Sequence, residues 1–352
     1  MIPPEVGHLM ISSFEIQKYR CFSGVSAKGL SRINIIVGRS GTGKTALLEG
    51  LFLCAGGSPQ HYFNILGMRG VLGQQLRLES EAYDQFFREM FYKFEITPIS
   101  LRFDDSYRGT WTLNIGPGAQ KQLVSPESGD TAIYTPIAFS AKSGSGKEHE
   151  STVRLEGGNL RFPPPSDPFS IAFLNNATIG QQPGLMTRFS QIVTDGREDK
   201  IIQALQALYE DIDDVRLVSY GGGNVLLASV KGLGRIPMGS VSGGINKYLS
   251  ILVTIRYKQR SVVLIDELEN GFYYANLTGA WKGIVEACLA AESQVFVSTH
   301  SNECLHALLP LLEEHSDHFT MIRTEKLQNE IVLVQFSGSE LRDAIEHGFE
   351  VR

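Results

Sequence analysis

Residues 38–45 read Gly-Arg-Ser-Gly-Thr-Gly-Lys-Thr and stand between a β-branched pentapeptide and an apolar run. No other stretch constrains the fold as much. It fills every position of the pattern glycine, four residues, Gly-Lys-Ser/Thr. Glycines let the backbone curl so that successive N–H groups converge on an anion, and the helix that follows turns its positive end toward the same point. Lys44 is then placed to bridge the β- and γ-phosphates of a nucleotide, and the Thr45 hydroxyl to ligate magnesium. Upstream, Ile33-Asn34-Ile35-Ile36-Val37 is apolar on both faces, which suits a buried strand of a parallel sheet. Downstream, Leu47 with Leu51 and Leu48 with Phe52 lie four apart, and Gly56-Gly57 with Pro59 stop the helix. Gly38, Arg39, Ser40, Gly41, Thr42, Gly43, Lys44 and Thr45 are the predicted nucleotide-binding residues, with ATP and Mg2+ as the ligands.

A second Gly-Lys pair, in Ser143-Gly144-Ser145-Gly146-Lys147, lacks the same context. Ala141 stands where the first glycine belongs, Glu148 replaces the Ser/Thr, and no apolar helix follows. An acid there repels phosphate and offers the metal no hydroxyl, so this reads as a mobile loop tip.

Three further motifs follow in order. Val262-Val263-Leu264-Ile265 is a buried strand that exits into Asp266 and Glu267. At the carboxyl end of a parallel strand these acids land beside the phosphates. Asp266 is predicted to hold magnesium through water, and Glu267 to polarise the attacking water. Ser242-Gly243-Gly244 opens a helix, a second anion site of the same physical kind as the loop at 38–45. Val295-Phe296-Val297-Ser298 is a strand that ends near His300, where a γ-phosphate sensor belongs.

These four motifs resemble the ATP-binding-cassette class of P-loop ATPases, the branch with RecF, the structural-maintenance-of-chromosomes heads and the overcoming-lysogenization-defect family. The likeness is strongest to the prokaryotic AAA15/AAA21-type "AAA family" ATPases. It is carried by residues 33–51, 264–277, 294–305 and 341–352 and is thin from 58 to 190. The resemblance implies an α/β P-loop fold of ABC-ATPase type, a mixed central sheet with an N-terminal antiparallel β-region and flanking helices. It also implies a head-to-tail, ATP-dependent homodimer, each nucleotide lying between the P-loop of one subunit and Ser242-Gly243-Gly244 of the other. Glu267 becomes the catalytic base, His300 the switch histidine, and Glu269-Asn270 the D-loop. The signature departs from Leu-Ser-Gly-Gly-Gln at Val241 and Ile245. Gln74, Gln75 and Gln85 are equal candidates for a Q-loop.

The rest of the 352 residues reads as one composite ATPase domain. Its parts are a β-region with the P-loop lobe (1–57), an inserted α/β region (58–190), and a lobe with signature, acids and histidine (191–352). Within the insert, 79–94 reads as a helix whose aromatic face is core, and 99–103 with 110–115 as a hairpin. Gly221-Gly222-Gly223 marks another hairpin, and 340–347 a Ser-capped helix closed by Gly348. Composition is that of a globular protein, 42% hydrophobic and 20% charged. The net charge of −6 advertises no global nucleic-acid binding, although a local basic groove stays open. Four cysteines without metal-ligand spacing point to free thiols. With neither signal peptide nor a long apolar stretch, a cytoplasmic protein without a membrane is expected. Only 52 residues follow His300, too few for the Toprim domain of the lysogenization-defect nucleases. The expectation is an ATPase with no second activity, a switch for a separate effector protein in a prokaryotic anti-phage defence system. The alternative is a RecF/SMC-like DNA-binding ATPase of repair or chromosome maintenance, with a transporter subunit third.

Overall fold

The computed structural model describes residues 11–71, 80–106, 108–119, 122–124, 132–156, 158–164, 169–175, 184–220 and 223–347. Two large sheets dominate. One is seven-stranded, in the order Asn159–Arg161, Glu148–Glu156, Ile137–Lys142, Gly109–Pro117, Ile99–Asp105, Ile11–Gln17, Gly24–Lys28. Its neighbours are antiparallel. The other is six-stranded, in the order Ile171–Leu174, Val262–Ile265, Gln294–Ser298, Ile33–Val37, Phe319–Leu327, Glu330–Ser337. The chain divides into two compact units, each of three segments: 1–30, 38–171 and 322–335 in the first, and 31–37, 172–321 and 336–352 in the second.

In the first unit, the N-terminal strand and the expected hairpin are neighbours in one sheet, with Phe14 opposite Phe103 and Phe103 opposite Trp111. Alternate residues Ile99, Leu101, Phe103, Trp111, Leu113 and Ile115 are buried, the period of two that a half-covered antiparallel sheet requires. Helix Lys44–Gly56 lies close to this sheet, since a Cβ on Gly50 would stand 2.9 Å from Ile16 Cδ1. The residue spacing suggests one apolar face, but Ala46 through Gly56 are all buried. Glu49 is among them and holds two arginines: Arg20 Nε at 2.9 Å and Arg69 Nε at 2.7 Å. Helices Pro59–Met68 and Ser80–Arg88 build an aromatic core in which Phe63 stacks on Phe162 at 4.8 Å and Tyr83 packs against Phe87 and Tyr134. Of the expected core face, Tyr83, Phe87, Met90 and Phe91 are buried and Phe86 is half-buried, while the helix expected over 79–94 ends at Arg88. Residues 143–147 form the tip of a hairpin, the Ser143 N–H donating to Lys147 O at 2.9 Å, and no helix follows.

In the second unit, strands Val262–Ile265, Gln294–Ser298 and Ile33–Val37 are parallel and in register, Val263 opposite Val295 and Val297 opposite Ile35. Every residue in these three strands is buried, which favours apolar side chains on both faces, and the polar Asn34, Gln294 and Ser298 are each hydrogen-bonded. Helices Leu185–Thr194, Asp199–Leu208, Gly243–Tyr257 and Leu277–Ala290 contribute to its core, with Trp281 fully buried and its Nε1 donating to Cys304 O at 3.0 Å. The hairpin Ile212–Tyr220 with Gly223–Val230 pairs as the glycines suggest, continued by Gly234–Pro237. The terminal helix runs Gly338–Glu346 with Ser337 and Glu340 in a capping box; Gly348 lies outside the described residues. No helix among the described residues is long and apolar enough to cross a membrane.

Candidate active site

Strand Ile33–Val37 runs directly into the glycine loop. Gly38, Gly41 and Gly43 have φ of +143°, +80° and +91°, which L side chains rarely adopt. Two of them also need the space. A Cβ on Gly38 would lie 2.3 Å from Thr324 Oγ1, and one on Gly43 would lie 2.7 Å from Cys21 Sγ. Gly41 meets nothing within 4 Å, so the front of the loop is open. The Thr42 hydroxyl donates to Arg39 O at 2.7 Å and meets Thr324 Oγ1 at 2.6 Å, bracing the loop from behind. Lys44 Nζ donates to Gly38 O at 2.7 Å and Arg39 O at 3.2 Å. Helix Lys44–Gly56 begins there without an acid in its first turn. This cradle of positive φ, open front and acid-free helix start fits a phosphate chain.

The acids belong to the second unit. The Asp266 N–H donates to Leu174 O at 2.8 Å, and the residue is 8% exposed. Ser298, at the end of the next strand, donates to Asp266 Oδ1 at 2.5 Å and accepts the Glu267 N–H at 2.8 Å. Glu267 sits in the left-handed region, with φ of +49°. Asn270 Nδ2 donates to Glu267 Oε2 at 2.6 Å. The Glu269 carboxylate takes both the His300 N–H at 2.8 Å and His300 Nδ1 at 2.7 Å, so Glu269 orients a half-exposed imidazole. The Thr45 hydroxyl in the first unit and the Asp266 carboxylate in the second are each a hard oxygen donor of the kind Mg2+ accepts. Bound Mg2+ would neutralise phosphate charge as the bond to the leaving group lengthens.

Helix Gly243–Tyr257 starts at Ser242, whose Oγ accepts the Ile245 N–H at 3.2 Å. Ser242 and Gly243 are exposed, and the first turn carries no acid. Gly244 is buried: a Cβ there would lie 2.3 Å from Gly271 O. The helix is buried from Lys247 to Ile255, not on a single face. Lys247 is 2% exposed and donates to Glu267 O at 2.6 Å. Burial lowers its pKa to about 8, partly offset by Glu269, Glu267 and Asp266.

Sequence reasoning missed Ser298, Lys247 and Thr324 as parts of the site, because each acts through a partner far along the chain. Of the Q-loop candidates, Gln85 is exposed on helix Ser80–Arg88, while Gln74 and Gln75 lie outside the described residues.

A glycine loop that follows a buried strand and paired acids that leave the end of a parallel strand are the marks of a P-loop ATPase. The chain belongs to the AAA_21 family, described as "AAA domain, putative AbiEii toxin, Type IV TA system", which matches residues 58–305. It is 23% identical over 331 residues to an ATP/GTP phosphatase of Helicobacter pylori, covering 87% of this chain and 89% of that protein. Over 115 residues it is 27% identical to structural maintenance of chromosomes protein 5 of Arabidopsis thaliana, covering 32% of this chain and 10% of that protein. The fold is similar to the SMC head bound to the C-winged helix domain of ScpA. That match has a TM-score of 0.53 at 13% identity, covering 94% of this chain and 98% of the other. An Smc head with an extended coiled coil, bound to the C-terminal domain of ScpA derived from Pyrococcus furiosus, matches at 0.52 and 11%, covering 96% and 99%.

Proposed function

We propose that the chain is a nucleotide-gated dimeric switch: ATP closes a head-to-tail homodimer and hydrolysis opens it. The observation that carries this reading is the start of helix Gly243–Tyr257, an exposed, acid-free, Ser-capped N-terminus in a chain that already has a phosphate cradle at 38–45. Such a helix end attracts phosphate, and the γ-phosphate of a nucleotide on another subunit is a suitable occupant. Residues 38–45 bind the nucleotide, Thr45 and Asp266 hold Mg2+, Glu267 takes the proton of the attacking water, and His300, steadied by Glu269, contacts the γ-phosphate. The closed dimer is what a separate effector protein recognises, in a cytoplasmic prokaryotic defence system. The toxin–antitoxin description of the family and the ScpA-bound SMC heads support a partner protein.

The test is light scattering with ATP and Mg2+. Glu267→Gln should bind ATP, hydrolyse it at least about a hundredfold more slowly, and accumulate as a dimer. Lys44→Ala, or chelation of the metal, should leave it monomeric or inactive. Wild-type turnover in Glu267→Gln would remove Glu267 from the mechanism, and a monomer in every nucleotide state would remove the switch. The likeness to structural maintenance of chromosomes protein 5 favours a second reading, a DNA-binding ATPase. An ATP-dependent DNA affinity that falls steeply with salt would mark it.

A further inference from the structure

The backbone of Glu267 is held on both sides of its Cα. Its N–H is taken by Ser298 Oγ at 2.8 Å, and its carbonyl accepts from Lys247 Nζ at 2.6 Å and the Asn270 N–H at 3.1 Å. This grip fixes a residue whose φ of +49° is uncommon for a side chain other than glycine, asparagine or aspartate. Lys247 is itself an unusual choice. A lysine that is 2% exposed loses hydration that a methionine or leucine in the same helix would not have to give up. Stability alone does not call for it. The helix that carries Lys247 begins five residues earlier at Ser242, so the anion-facing end and the ammonium belong to one rod.

We propose that Lys247 is a positioning residue for ATP hydrolysis: it holds the Glu267 carbonyl so that the left-handed turn, and with it the carboxylate, keeps a single direction. It touches the backbone of Glu267 and acts through that residue. A helix drawn toward phosphate at Ser242 also moves the group that sets Glu267, which ties occupancy of the helix end to the alignment of the general base. The inference rests on Glu267 being that base.

Full-length Lys247→Met and Lys247→Arg, alone and combined with Glu267→Gln, test it by kcat, KM, affinity for a fluorescent ATP analogue, and melting temperature. Lys247→Met is expected to bind nucleotide within about threefold of wild type and to melt no lower, with kcat at least about tenfold down and KM nearly unchanged. Lys247→Arg should recover part of the rate, and adding Lys247→Met to Glu267→Gln should cost nothing further. Wild-type kcat in Lys247→Met, a rate loss that merely follows a lowered melting temperature, or losses that multiply in the double variant would overturn the proposal. If Glu267→Gln alone turns over at the wild-type rate, the base assignment beneath it fails first, and any loss in Lys247→Met then acts elsewhere.

Discussion

The Ser298 hydroxyl donates to Asp266 Oδ1 at 2.5 Å from the neighbouring parallel strand. The same oxygen accepts the Glu267 N–H, so one buried serine serves both acids. Ser298→Ala leaves a backbone donor and a carboxylate short of a partner, at about 1–3 kcal/mol. Denaturant melts should show that loss, and the Mg2+ concentration for half-maximal hydrolysis should rise. Unchanged metal dependence would separate Ser298 from the work of Asp266.

Glu49 is 2% exposed by side chain and pairs with Arg20 and Arg69. Removing one member of a buried ion cluster leaves uncompensated charge and costs about 3–5 kcal/mol. Glu49→Ala should lower the urea midpoint accordingly while leaving the slope alone. A loss below about 1 kcal/mol would mean that water replaces the carboxylate without penalty.

Gly243 and Gly244 make a paired test. A Cβ on Gly244 would stand 2.3 Å from Gly271 O and 3.1 Å from Tyr209 Oη, whereas one on Gly243 meets nothing within 4 Å. Gly244→Ala is expected to force the segment at Gly271 away, destabilising the protein by about 1–3 kcal/mol and cutting ATP turnover. Gly243→Ala should keep wild-type stability within about 1 kcal/mol. Thermal melts of the two alanines, run side by side, decide it; equal melting temperatures would contradict the close approach.

His61 has its pKa lowered to about 4 by burial. An unfolded histidine titrates near 6.5, so the unfolded chain takes up the proton first as pH falls. The contribution of neutral His61 is complete above about 6.5 and drains away down to about 4, on the order of a few kcal/mol. His61→Phe keeps a ring beside Phe52, 4.9 Å from the His61 ring, and removes the titration. Its stability should fall less than wild type between pH 6.5 and 4.5, as read by denaturant melts at each pH. Parallel pH curves would show that His61 is not the group responsible.

The strands that hold the site were legible because burial on both faces leaves a run of β-branched residues with no alternative reading. Ile33–Val37 and Val262–Ile265 fall where the apolar runs lie. Their order in the sheet was not legible, since nothing local says that Gln294–Ser298 sits between them. The phosphate loop was readable because its chemistry is contiguous. Its brace was not: Thr324 is 282 residues from Thr42. Lys247 and Glu49 show the opposite failure. A charge in a helical pattern reads as solvent-facing, yet both are buried because carboxylates or guanidinium groups from other segments meet them. The middle of the chain stayed dim because its short strands pair in a long antiparallel sheet, and that register depends on partners and not on periodicity.

Because each unit is assembled from three segments, neither is complete when its longest piece leaves the ribosome. The phosphate loop emerges early and waits for Thr324 through most of synthesis. A messenger cut or a stalled ribosome anywhere before residue 322 therefore yields a chain with an unbraced loop and two unfinished cores. Truncated products should be substrates for proteolysis and not half-active ATPases, so the interleaved chain makes the enzyme all or nothing at the level of translation.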